Sequence, residues 1–126
     1  MRPNNRTVMG LNERLAAQAW ARRARGKRCV ICGAQYPRGH HVITQQMLKT
    51  QCKELDLDYR RVRWDERNLM PLCDRHHAAH HSRAHAISLE IVLASCPKII
   101  QFARELDLVW WLSRNYPVRT TLREAQ

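Results

Sequence analysis

The sequence predicts a small α+β domain in which a short two-stranded sheet is stapled by zinc and flanked by helices. Three observations carry this expectation. "CVICG" and "PLCDRH" are two metal-ligand pairs, each separated by two residues, and helical apolar spacing fills both ends of the chain, with short extended segments beside the pairs. At 126 residues one compact unit is expected, and aromatics at 6% leave it only a modest core.

From Asn12 to Arg25, Leu15, Ala16, Ala19 and Trp20 recur at helical spacing, with Asn12 as a candidate N-cap and Gly26 as a stop. Leu15 and Trp20 are expected to anchor this helix. Residues 1–28 carry eight Arg or Lys against the single acid Glu13, a large part of the chain's net charge of +11. Such a basic arm suits the phosphate backbone of a nucleic acid, with Arg22, Arg23 and Arg25 as candidate contacts; a solvated face is the plainer alternative.

Residues 29–82 form the expected core. The turn "CVICGAQYP" holds Cys29 and Cys32, with Gly33 suited to a left-handed position, and leads into a strand from His40 to Ile43. An insertion spans residues 44–67. Its first half places Met47, Leu48, Cys52 and Leu55 on one helical face, and its second half, "DYRRVRWDERN", offers Arg60, Arg61, Arg63 and Arg67 as phosphate contacts or as a plain solvated loop. A second strand is expected at Leu69–Leu72, followed by a helix starting near Asp74.

Residues 83–126 read as a C-terminal helical extension. A helix carrying Ile99, Ile100, Ala103 and Leu106 is expected behind a Ser95 cap with Pro97 in its first turn, then a short helix from Leu108 to Arg114, then a loose tail at Val118–Gln126. Trp110 and Trp111 are expected to be core, buried against Trp20. Cys52 and Cys96 read as core thiols. No export signal or long apolar run is present in the sequence, so cytosol is expected, where Cys-x-x-Cys more often means metal than a disulfide.

Four of the seven histidines fall within "PLCDRHHAAHHS". Cys29, Cys32, Cys73 and His76 make a Cys3His set for structural zinc, a buried thiol being the alternative for either pair alone. On a helix, residues four apart share a face, so either His77 with His81 or His76 with His80 can ligate one ion. If His76 closes the zinc site, His77 and His81 are the free pair. Neighbouring strand residues point to opposite faces, so His40 and His41 have different roles. One would complete a three-His site, and the other would act on a water as general base. His80 and His85 read as ordinary residues.

"GHHVI" followed by "RNLMPLCDRHHAAHH" resembles the signature of the HNH endonucleases, on a treble-clef, ββα-metal core, and the flanks look similar to small stand-alone bacteriophage members. The resemblance covers roughly Cys29 to Ser82. It implies His41 as general base, Asn68 as the residue that ties the loop and positions it, and His40, His77 and His81 as ligands of one catalytic divalent metal. It also implies structural zinc on Cys29, Cys32, Cys73 and His76, where many members have Cys in place of His76. Hydrolysis of DNA to 5′-phosphate and 3′-hydroxyl ends would follow, in phage DNA processing or packaging within the host bacterial cytoplasm. Three imidazoles accept zinc, nickel, cobalt or manganese, whereas magnesium prefers oxygen. The rival readings are a non-catalytic zinc-dependent DNA-binding module and a packaging accessory protein; neither involves a membrane.

Overall fold

The computed structural model describes residues 2–81 and 86–118, with side chains from residue 12 onward. His85, and the expected tail from residue 119 on, lie outside the described residues. The elements are α1 (Arg2–Arg25), β1 (Arg38–His41), α2 (Gln45–Glu54), α3 (Tyr59–Val62), a 3₁₀ turn at Glu66–Asn68, β2 (Leu69–Leu72), α4 (Asp74–His81), α5 (Leu89–Ser95), α6 (Ile99–Glu105) and α7 (Val109–Asn115). The class is α+β, as expected. Among the described residues no helix is long and apolar enough to cross a membrane.

β1 and β2 pair antiparallel, with Arg38 opposite Leu72, Gly39 opposite Pro71, His40 opposite Met70 and His41 opposite Leu69. β2 falls where expected, but β1 lies earlier than His40–Ile43. The reason is local. Beyond His41 the Val42 N–H still bonds the Asn68 carbonyl at 3.0 Å, and at Ile43 a side chain takes over: Asn68 is fully buried, its Oδ1 accepts from the Ile43 N–H at 2.8 Å, and its Nδ2 donates to the Ile43 carbonyl at 3.0 Å.

α1 begins well before Asn12, which is therefore interior and not a cap. Pro3 sits in its first turn, where proline is tolerated, and no later proline interrupts it. Trp20 and Ala24 anchor it, packing with Leu69 and Trp64, whereas Leu15 is 53% exposed and does not. Gly39 makes the close crossing possible, because a Cβ there would lie 2.2 Å from Trp20 Nε1.

The main core joins the hairpin to the C-terminal helices: Val42, Ile43, Leu48, Met70 and Leu72 pack with Val92, Ile99, Phe102, Leu108, Leu112 and Tyr116. On α2, Thr44 caps the first turn and Leu48 and Cys52 are buried, but Leu55 at the far end is exposed. α5 was not expected; Ser88 caps it, and Ser95 closes it instead of capping α6, whose cap position holds Lys98 without a side-chain bond. Cys96 is buried, as expected. Trp110 is 49% exposed, and Trp111 is half-buried against the main core, so neither meets Trp20.

Arg67 ties the turn before β2 to α6, bonding both Asp65 oxygens and both Glu105 oxygens at 2.9–3.0 Å. Burial pushes the Asp65 carboxyl up, but Arg67 outweighs it and holds the group below its ordinary 3.8; Arg67 also holds Glu105 below 4.5. Depressed carboxyl values add stability above the unfolded pKa, and that stability is lost as pH falls through the folded values. Arg67→Met should therefore be less stable than wild type by a constant margin at neutral pH. In urea unfolding followed at several pH values, the margin should start to shrink below about pH 5. A margin independent of pH down to the acid limit would contradict this.

Candidate metal centres

The first ligand set is built where a knuckle meets the end of β2. Gly33 takes φ +77° and donates to the Cys29 carbonyl at 2.8 Å, while the Cys29 N–H bonds the Ala34 carbonyl at 3.0 Å. This curls Cys29 and Cys32 to one side. The Val30 N–H bonds the Pro71 carbonyl at 3.1 Å and docks the knuckle on β2. Cys73 follows β2 directly, and His76 stands in the first turn of α4.

The donor atoms of Cys29, Cys32, Cys73 and His76 all lie within 4.8 Å of one another. Cys32 Sγ and Cys73 Sγ are 3.8 Å apart, and His76 Nδ1 is 3.8 Å from Cys29 Sγ and 3.3 Å from Cys73 Sγ. Tetrahedral zinc with ordinary bond lengths needs S···S edges of about 3.8 Å and S···N edges of about 3.6 Å. The set fits. Burial raises the Cys29 thiol, but backbone N–H groups of Cys73, Cys32 and Ile31 outweigh it and favour the thiolate. A Cys3His cluster able to hold a structural metal such as zinc is present, as the spacing predicted.

The second set uses the neighbouring face of α4, starting at the residue after His76. His77 and His81 face buried His40, and the three ligand nitrogens lie within 4.8 Å of one another. His77 Nε2 and His81 Nε2 are 3.2 Å apart, inside the range of about 3.0–3.4 Å for imidazoles sharing one ion. Burial, followed by the charges of His80, His77 and His81, lowers His40 to about 2, so it is neutral and its lone pair is available. His81 is exposed, leaving the cluster open on that side.

Tyr116 sets which nitrogen that is. Its hydroxyl donates to the Val42 carbonyl at 2.5 Å and so can only accept from His40 Nε2, 3.2 Å away. His40 thus carries its proton on Nε2 and its lone pair on Nδ1. His80 is no ligand of this set; its ring lies parallel to Tyr116 at 5.7 Å and edge-on to His40 at 5.0 Å.

His41 points elsewhere, as strand alternation requires. Its ring stacks on Trp20 at 4.2 Å and 19°, with Trp64 at 5.4 Å. A carbonyl can only accept, so the 2.9 Å contact with the Arg63 carbonyl places the proton on His41 Nε2 and frees Nδ1. Burial first, and then the Arg63 and His77 charges, lower His41 to about 4 against the raising effect of the Arg63 carbonyl. His40, His41, His77 and His81 share the wall of one cavity of about 310 Å³.

The candidate DNA contacts are placed unequally. Arg22 and Arg25 are exposed, Arg23 pairs with Glu66, and Arg60 and Arg61 lie against Asp58. Arg63 is turned inward: its guanidinium bonds Gln45 at 2.7 Å and Glu13 at 3.1 Å over the Trp64 ring. Sequence reasoning missed Tyr116, Trp64 and Gly39 as site residues. Gly39, directly before the His pair, was the one visible signal, since a glycine within a strand marks a close approach.

Removing zinc from the Cys3His set should unfold the domain, since structural zinc contributes about 10–16 kcal/mol of folding free energy. Cys32→Ser should show little bound zinc and a non-cooperative thermal transition by circular dichroism; a zinc-free protein with an unchanged transition would contradict the assignment. Tyr116→Phe keeps the ring but releases His40, and should weaken cobalt or nickel binding at the three-His cluster about 10- to 100-fold in calorimetry while zinc content stays constant. Unchanged affinity would show that the hydroxyl does not orient the ligand.

No protein-family model, curated protein or solved structure matches this chain.

Proposed function

We propose that the protein is a metal-dependent DNA endonuclease of the HNH type, built on a treble-clef, ββα-metal core. One observation carries this reading: the three-imidazole cluster and His41, its Nδ1 free and its Nε2–H held by a backbone carbonyl, share one cavity. A zinc-stapled binding module needs only four ligands and has no use for a second set beside an oriented imidazole.

A divalent ion on His40, His77 and His81 would supply Lewis-acid stabilisation of the charge that builds on the phosphate. His41 Nδ1 takes the proton of a water whose oxygen forms a bond to phosphorus. The bond from phosphorus to the 3′ oxygen breaks, and that oxygen leaves with a proton from solvent, giving 5′-phosphate and 3′-hydroxyl ends. Trp20 and the Arg63 carbonyl hold the base ring in place, and Asn68 holds the strand end that carries it. The net charge of +11 and exposed Arg22 and Arg25 support DNA as the polymer, through contacts that position without specifying. Phage DNA processing or packaging is the setting that the sequence resemblance favours.

Conversion of supercoiled plasmid to nicked or linear DNA with manganese, nickel, zinc or magnesium tests the proposal. Wild type should cleave with at least one ion, and His41→Ala should be slower by about 10²-fold or more with zinc content unchanged. Wild type that binds plasmid but stays inert with every ion would favour the binding-module reading.

A further inference from the structure

A second cavity of about 380 Å³ adjoins the first and shares His40, Thr44 and His81 with it. Its other side is built by the end of α7 and the residues after it: Trp111, Arg114, Asn115 and Tyr116. His41 does not line it. The two spaces meet at His40, Thr44 and His81: Trp20 of α1 stacks on His41 on the side of the first, whereas Tyr116 bonds His40 on the side of the second. The rim of imidazoles is thus the boundary between a space that holds the base and a space that does not.

We propose that this second cavity is the subsite for the nucleotide bearing the leaving 3′ oxygen, with Arg114 binding the phosphate on that nucleotide's 5′ side. The proposal rests on the hydrolase reading above. In a phosphoryl displacement the attacking and leaving oxygens lie roughly in line on opposite sides of phosphorus. With the attacking water on the His41 side, a phosphate at the shared rim sends its leaving oxygen into the space beneath α7. The chemistry of that space suits the occupant. Arg114 is exposed, makes no ion pair among the described residues, and has its guanidinium 5.4 Å from the centre of the Trp110 ring, which steadies it. Among the described residues no acidic side chain lines the cavity. A guanidinium binds phosphate through paired, charge-assisted hydrogen bonds. The volume is at the lower end for ligand sites, suited to a single nucleotide and not to a duplex.

The test uses short DNA oligonucleotides carrying one neutral methylphosphonate immediately upstream or downstream of a mapped cleavage position, with bis(4-nitrophenyl) phosphate as a diester that lacks flanking phosphates. Arg114→Ala should raise KM for DNA about tenfold, leave the small diester unaffected and bind uncut DNA about tenfold more weakly in a His41→Ala background. Arg114→Lys should recover part of the loss. The upstream methylphosphonate should cost wild type about tenfold and Arg114→Ala almost nothing, while the downstream one costs both alike. Equal sensitivity of both proteins to the upstream replacement, or equal loss on the small diester, overturns the subsite while the hydrolase reading stands. Wild type inert on both substrates overturns the hydrolase reading, and the subsite with it.

Discussion

The buried carboxamide of Asn68 is the contact on which the rest of the site depends. It pairs in both directions with the backbone of Ile43 and so continues the hairpin past the last residue of β1. Loss of that side chain would orphan a buried N–H and a buried carbonyl, at about 1–3 kcal/mol each. The geometric effect matters more. The clasp pins the register in which His40 faces Met70 and His41 faces Leu69, and a slip of one residue would exchange the faces of the two histidines. One imidazole is thereby sent toward α4 and the other toward α1.

The two ligand sets then follow from one short helix. Cys73 and His76 hold its first turn against the knuckle, and His77 and His81 follow on the next face, so whatever fixes the Cys3His set also fixes the distance from α4 to His40. The C-terminal helices are joined to this arrangement and do not merely flank it. They supply most of the main core, and Tyr116 at the end of α7 reaches back to orient His40. A hydroxyl whose only proton is committed to a backbone carbonyl is a rigid acceptor, which makes it effective at selecting one imidazole tautomer.

Features that follow from local spacing were legible in the sequence: the knuckle pairs, the four-residue step between His77 and His81, β2, and the start of α4 behind Asp74. Those that depend on contacts between distant residues were not. The stacking of Trp20 on His41, the bond from Tyr116 to His40 across 76 positions and the pairing of Arg63 with Glu13 across 50 leave no periodic trace. Arg63 looked like a DNA contact because its exposure cannot be read from a run of basic residues. α5 was missed because "LEIVLAS" is an apolar run whose length suits a strand as well as a helix. Asn12 misled because a good cap residue is also tolerated inside a helix when no proline stops the chain before it.

Cobalt titration of metal-free protein, followed by absorption spectroscopy, tests the central claim that one hairpin and one helix hold two ions of different chemistry. The account predicts two bound equivalents. One should show the intense near-ultraviolet band of thiolate-to-cobalt charge transfer together with tetrahedral ligand-field bands. The other should lack the thiolate band and disappear in His77→Ala, with the first unaffected. Saturation at a single equivalent with full thiolate character would contradict the account, leaving the three imidazoles as packing residues and the protein without a catalytic ion.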